Sequence, residues 1–423
     1  MEILNTLNFT FIFLSLIFTK LIVENYLIYR NILFIKKNIK VVPKRFENII
    51  TKDEYILTNN YNISKLKFQF ISSISSLIFI LLLTFGGLIN FFTNLILNLT
   101  DINSLGAVLL GIIFIIISEI IEIPFAIYST FKIEAKYGFN KTTKKTFVLD
   151  FFKSLALSII LISIIFSLIV IIVENLGSYW WLYSFISIFM FQIILFFLYP
   201  TLIAPLFNKF KPLTDEKFKK PIEKLLKKVE FEAKALMVMN ASLRSTHGNA
   251  FFTGFGKNKR IVFFDTLLDA ITPNEMEAIL AHELGHAKLG HIKKGLAAST
   301  ILSFISFYIL GLTYNSNNFF VGHGLNELTI YSKIFLFYIV SSYYIFFMRP
   351  IFSYLSRKRE FEADDFSIKH TNAKHLISGL IKLAKDNSSN LTPDSLYSKY
   401  HYSHPPISER LKSLELKLNK KEI

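Results

Sequence analysis

The sequence predicts a mainly α-helical membrane protein: a bundle of seven spanning helices with a soluble part that carries a small β-sheet. Three observations lead there. Hydrophobic residues make up 52% of the 423 residues, 45 of them phenylalanine. Seven apolar stretches are each about as long as a bilayer crossing requires, ~20 residues in a helix. Basic residues crowd into alternate loops between those stretches and are missing from the others, the charge pattern of a multi-pass membrane chain.

In order, the spans run over Leu7–Tyr29, Phe70–Phe92, Leu105–Ile127, Ser154–Val173, Tyr179–Tyr199, Gly295–Leu312 and Tyr331–Phe352. The first, interrupted by Lys20 and Glu24, reads as a retained anchor. No Lys or Arg precedes it and no small-residue cleavage site follows it. The loop from Arg30 to Lys67 holds nine Lys/Arg against three acids and has no clear fold, and that from Ser129 to Lys153 holds six against two, with a turn signal at Gly138 and Asn140. The loops near Asp101, Glu174 and Glu327 hold none. The positive-inside rule then places the N-terminus outside and the C-terminus in the cytoplasm, and the Lys/Asn/Ile-rich composition points to a bacterial-type inner membrane. Distributed this way, the formal charge of +16 describes topology, and nucleic acid is not expected as a partner. Glu119 and Glu122 in the third span and Arg349 at the end of the seventh are intramembrane charges, which face either a partner or a wet cavity.

With no cysteine in the chain, a disulfide, a thiol nucleophile and a cysteine metal site are all excluded, so His, Asp and Glu must carry any metal chemistry. The soluble part begins after Pro200 and Pro205. Thr214–Val229 reads as a charged amphipathic helix, Ala235–Met239 and Arg260–Phe264 as short strands, with Asn249-Ala250-Phe251 between them. The single Gly-x-Gly at 254–256 lacks the third glycine of a dinucleotide motif. Thr272-Pro273-Asn274-Glu275 then signals a helix start, with Thr272 as N-cap, Pro273 in the first helical position and Glu275 completing a capping box. On that helix stands His282-Glu283-Leu284-Gly285-His286, an H-E-x-x-H pattern. Histidines four apart share one helical face and can grip one Zn²⁺ at ~2.0–2.1 Å each, and Glu283 is placed to take a proton from an attacking water.

The third ligand is not where an H-E-x-x-H-x-x-G-x-x-H pattern would put it, because Leu289 and Ile292 occupy those positions. His291 reads as a cation near the helix C-terminus. Glu360 is the better candidate. Glu360 and Asp364 are four apart on one face, so Glu360 would ligate and Asp364 would accept a hydrogen bond from the free N–H of a ligating histidine. Glu362 reads as part of a solvated face. Two histidines and one carboxylate leave a fourth zinc position open, as a hydrolytic site needs. Further on come a helix about Ala373–Lys385, the motif His404-Pro405-Pro406 with Glu409-Arg410, and a basic helix over Arg410–Lys421.

Taken together the chain resembles the type 1 CAAX prenyl protease family, integral-membrane zinc endopeptidases of the gluzincin class. The likeness covers nearly the whole length. It rests on Phe139-Asn140-Lys141, Pro205-Leu206-Phe207-Asn208-Lys209-Phe210, His247-Gly248-Asn249-Ala250-Phe251, the H-E-x-x-H segment, Glu360–Asp364, His404-Pro405-Pro406 and Glu409-Arg410. The resemblance implies seven helices walling a water-filled chamber, with Glu119, Glu122 and Arg349 as candidate lining. It implies one Zn²⁺ per chain on His282, His286 and Glu360, Glu283 as base, and His404 stabilising the tetrahedral intermediate. Asn249, with Ala250, would bind the substrate backbone. Either the Arg260–Phe264 strand or the one leading from Asn249 would offer an edge to an extended peptide. Arg410 either orients the His404 loop or draws the substrate's terminal carboxylate.

The organisation expected is a membrane region with five spans over 1–205, the first half of the protease domain over 206–294, a membrane hairpin over 295–352 and the second half over 353–423. The expected partners are the lipid bilayer and a peptide or protein substrate, lipidated ones included. Three readings compete: trimming of C-terminal peptides from prenylated proteins, general quality control of membrane proteins, and a non-catalytic seven-helix protein. A complete and ordered metal constellation argues against the last.

Overall fold

A computed structural model describes residues 5–253 and 259–421; the Gly-x-Gly at 254–256 lies outside the described residues. The first part of the chain is helical: α1 (Thr6–Asn38), α2 (Lys52–Leu83), α3 (Leu88–Leu97), α4 (Asn103–Tyr128), α5 (Lys144–Asn175), α6 (Trp180–Leu198) and the single turn α7 (Ala204–Phe207). Seven helical segments among the described residues are long and apolar enough to cross a membrane, matching the seven expected. Their cores interlock through large apolar side chains. Phe13, Ile80, Phe320 and Phe335 belong to one buried cluster that ties the first, second and last spans together.

Two boundaries differ from expectation. The second span does not run to Phe92. The helix stops at Leu83, the chain turns at Gly86-Gly87, and α3 starts afresh. Gly87 has φ of +76°, a conformation that costs a side-chain-bearing residue, and a Cβ on Gly86 would stand 2.7 Å from the Leu82 backbone. The basic Arg30–Lys67 segment is mostly helix rather than loop. α1 continues to Asn38, and α2 begins at Lys52 behind a capping box in which Thr51 accepts from the Glu54 N–H and Glu54 answers the Thr51 N–H. In the second basic segment α4 passes into a π-helical stretch, Ser129–Glu134, before the turn at Gly138, whose φ is +84°.

The soluble part opens with β1 (Phe210–Pro212), α8 (Glu216–Lys228), β2 (Ala235–Met239), β3 (Ala250–Thr253) and β4 (Arg260–Phe264). The sheet order is β1-β2-β4-β3, with β2 and β4 parallel and the other pairs antiparallel. Arg260–Phe264 therefore lies inside the sheet and has no free edge. Of the two strands considered for peptide pairing, only β3 has one.

After α9 (Asp265–Ala270) comes α10 (Pro273–Lys288), the H-E-x-x-H helix, and its capping box forms as the sequence specifies. Its apolar side is fully used. Met276, Leu280 and Leu284 pack with Ile222 and Leu225 of α8 and Phe263 of β4. Helices α11 (His291–Thr313), α12 (Asn317–Gly322) and α13 (Ile330–Ile345) form the second membrane excursion. They lead into α14 (Arg349–His370), α15 (Ala373–Asp386), α16 (Ser395–His401) and α17 (Ile407–Lys421). Helix α14 returns to lie directly on α10. Gly285 makes this possible: a Cβ there would stand 3.0 Å from Phe366 Cβ and 3.1 Å from Ala363 Cα. The glycine of H-E-L-G-H is thus the contact that lets the two site helices approach.

Between the membrane helices lies a cavity of about 740 Å³ lined by Glu122, Arg349, Ser72, Ser76 and Ser342 among others. Two of the three intramembrane charges face it, as an ionisable group in a membrane must face polar surroundings. Glu119 is not among its lining residues.

Candidate metal centre

Helix α10 presents His282 and His286 one turn apart, and the close approach at Gly285 brings Glu360 of α14 opposite both. His286 Nε2 is 3.2 Å from His282 Nε2 and 3.2 Å from a Glu360 oxygen, and His282 Nε2 is 3.4 Å from the other. One ligand atom from each residue falls within a group no more than 4.8 Å across, with His282 and Glu360 buried and His286 half-buried. Four ligands at ~2.0–2.1 Å around a tetrahedral ion are ~3.3 Å apart. The two ring nitrogens have that spacing, and each has a different oxygen of the Glu360 carboxylate at a similar distance. With ring lone pairs and carboxylate oxygens converging and no donor between them, the set fits a cation of zinc's size.

Neighbouring residues fix the ring tautomers. Asp364 Oδ1 lies 2.9 Å from His282 Nδ1, so that nitrogen carries the proton and Nε2 is left for the metal. Asp364 is itself held by Arg410, whose Nε donates to Oδ2 at 2.9 Å and whose second nitrogen donates to Oδ1 at 2.5 Å. This is the planar fork that guanidinium offers a carboxylate. Arg410 is buried and its donors are directed at Asp364, with another nitrogen 3.6 Å from Glu360. Of the two roles open to Arg410, this placement favours orientation over capture of a substrate carboxylate.

His286 is supported from the other side, and here two readings are corrected. His291 does not sit at a helix C-terminus. Helix α10 ends at Lys288, Gly290 turns the chain at φ of +70°, and His291 is the first residue of α11. It is buried, with Nδ1 3.0 Å from His286 Nδ1 and Nε2 2.9 Å from Glu362. Glu362 is therefore not simply solvated. It accepts the His291 Nε2–H, which leaves His291 Nδ1 to accept from His286 Nδ1–H and frees His286 Nε2 for the ion.

Glu283 borders the site and lines a cavity of about 590 Å³ together with Asn249, Ala250, Glu360, His404 and Arg410. Burial pushes its carboxyl above the ordinary carboxylate range, despite His282 and His286 nearby. His404 stands at the rim. Its side chain is 67% exposed, and its Nδ1 lies 2.9 Å from Glu360. Asn249 is exposed and its side chain accepts from the Ala250 N–H at 2.8 Å, at the start of the edge strand β3. The loop carrying it is pinned by Asn387, which accepts from the Gly248 N–H at 3.1 Å and lies 3.2 Å from His247 Nδ1. His247 also stacks on Phe139, with centroids 4.6 Å apart. The Phe139 and His247 motifs were each visible in the sequence, but nothing in their spacing revealed that one braces the other.

Residues 31–209 match the family described as the CAAX prenyl protease N-terminal domain, with five membrane helices. Residues 212–417 match peptidase family M48. A CAAX prenyl protease 1 homolog of Arabidopsis thaliana is 35% identical over 406 residues, covering 93% of this chain and 94% of that protein. One of Mus musculus is 32% identical, covering 88% of each. The crystal structure of S. mikatae Ste24p superposes with a TM-score of 0.88 at 29% identity, covering 96% of this chain and 99% of that one.

Proposed function

The chain belongs to peptidase family M48 and is an integral, multi-pass membrane zinc metalloprotease of the CAAX prenyl protease type; from that premise we propose how its own residues divide the reaction and on what they act. His282, His286 and Glu360 hold one Zn²⁺ per chain. Zinc bound there would supply Lewis acidity toward the peptide carbonyl and toward water. The single observation that carries this assignment is that two ring nitrogens 3.2 Å apart each face an oxygen of the Glu360 carboxylate, at 3.2 and 3.4 Å. Glu283 takes the proton from the attacking water and passes it to the leaving amine. His404 donates to the carbonyl oxygen as charge develops there. Asp364, held by Arg410, keeps His282 in its ligating tautomer.

Substrate binding falls to Asn249 and Ala250 at the mouth of the edge strand. An extended peptide would add beside β3, since β4 is already paired on both sides. The substrate is a prenylated protein whose C-terminal peptide is trimmed, a reading supported by the words CAAX prenyl protease in the relatives' names. The alternation of basic loops supports a catalytic side facing the cytoplasm and an N-terminus outside.

Sealed membrane vesicles carrying the protein test this reading in one experiment. A C-terminally farnesylated peptide added outside should be cut by inverted vesicles, whose cytoplasmic face is outward, and spared by right-side-out ones. Cleavage should stop on chelation and resume on adding zinc. Equal cleavage in both orientations would reject the topology. No cleavage in either, with zinc bound, would reject the substrate.

A further inference from the structure

Where the second and third spans reach their basic ends, a groove opens between α2 and the π-helical stretch Ser129–Glu134 that continues α4. We propose that this groove holds one anionic phospholipid of the bilayer, its headgroup on Lys67, Lys132 and Lys136 and an acyl chain along the aromatic floor beside them. The inference stands apart from the peptidase reading, because no residue lines both this groove and the metal cavity.

The groove has two kinds of surface, in the order a phospholipid presents its own. On α2, Lys67 stands about one turn before Ile71, where the apolar stretch begins; Lys132 and Lys136 stand about one and two turns beyond Tyr128, where the other apolar stretch has ended. The lysines thus gather at the edge of the membrane and the rings lie within it. Phe68 stacks on Tyr128 with centroids 5.7 Å apart and meets Phe125 at 5.8 Å. Ile71 and Tyr128 are 58% and 53% exposed, so the apolar side of the groove opens to the hydrocarbon and not into the protein. Tyrosine at the boundary and lysine stems laid over apolar surface, with the ammonium at headgroup level, are what such a depth favours. The volume, about 800 Å³, lies within the ~300–1,000 Å³ of sites that take small ligands.

Charge selects the headgroup. The lining carries three lysines and no carboxylate. None of the three pairs with an acid among the described residues, and the Lys136 ammonium has only the Tyr137 ring, 5.3 Å from its centroid. Glu134 lies between Lys132 and Lys136 in the chain, yet it is committed elsewhere. It accepts the Tyr61 hydroxyl at 2.8 Å and faces His247 Nε2 at 3.7 Å. Three ammonium groups without counter-ions at the mouth of an apolar groove match a phosphodiester carried on an acyl chain. A zwitterionic headgroup would bring a fourth cation into the same place, and free phosphate would leave the rings uncovered. The π-helical widening that carries Lys132 is itself a rare irregularity, of the kind found often at functional sites.

The test is native mass spectrometry of the full chain in detergent, with dioleoylphosphatidylglycerol or dioleoylphosphatidylcholine added; the two differ in headgroup charge and share their chains. The parent should retain one phosphatidylglycerol with a Kd about 10²-fold below that for phosphatidylcholine, at about fivefold per lysine. Replacing Lys67, Lys132 and Lys136 together by Gln should bring the ratio near one, and replacing them by Arg should keep it. Lys36, Lys37 and Lys40, exposed at the end of α1 and outside the groove, are the control: their joint change to Gln removes the same charge and should leave the ratio standing. Ile71→Trp, which fills the apolar floor, should release the lipid with every lysine in place. Equal retention of the two lipids by the parent overturns the proposal, and so does an equal loss in the α1 control, the mark of diffuse attraction to a basic face. Unchanged retention in Ile71→Trp, or displacement of the lipid by inorganic phosphate, would mean that no chain lies in the groove. One-for-one displacement by a farnesylated peptide would assign the groove to the substrate's lipid and overturn the proposal as well. None of these measurements needs turnover, so a failure here leaves the peptidase reading untouched.

Discussion

Glu283→Gln should retain zinc and fold and lose turnover by ~10²–10⁴-fold, the usual contribution of a positioned general base. The carboxyl lies on the wall of the active cavity and burial holds it in a raised range. Glutamine has the same shape but cannot accept a proton. The substitution also removes a half-buried negative charge without leaving a cavity, so stability should not fall. Glu283 makes none of the contacts that bring His282, His286 and Glu360 together, so metal content should not change. The measurement is zinc content, thermal unfolding and kcat of the purified variant side by side. Turnover near the parent's would mean that another group takes the proton.

His404→Ala should lower kcat by ~10²–10³-fold with KM little changed. A fixed donor aimed at an oxygen that gains charge in the transition state is worth that much. His404 is 67% exposed at the rim, so replacing it opens no core cavity, and its Nδ1 contact with Glu360 places it over the reacting side of the site. A loss confined to KM would make it a substrate-binding residue. No change in either would make it a surface histidine in the turn before Pro405.

Much of this site was legible before any coordinates. The H-E-x-x-H helix announces itself through its capping box, and Glu360 and Asp364 through their spacing, because both signals are local and follow one helical period. What was missed involves places where that period breaks. His291 looked like the continuation of α10 only if the helix was extended through Gly290. The glycine reverses the chain and turns the ring onto His286. The second span was extended through Gly86-Gly87 for the same reason. Its true start at Thr51-Lys52-Asp53-Glu54 was written in a capping box as clear as the one at Thr272, but it sat within a basic stretch that read as loop. Contacts between distant segments gave no sequence signal at all. Asn62 meets Ser388 across 326 residues and His247 meets Asn387 across 140, and only the packing of α2 and α15 around the site brings them together.

The central claim is that two imidazoles of α10 and one carboxylate of α14 form a single metal site, and its most direct test is metal analysis of the purified full chain after exhaustive dialysis, for the parent and for Glu360→Ala. The geometry predicts one zinc per parent chain and far less than one in Glu360→Ala, because two histidines four apart on a helix keep only two of three protein ligands. Stoichiometric zinc in Glu360→Ala, or none in the parent, would contradict it.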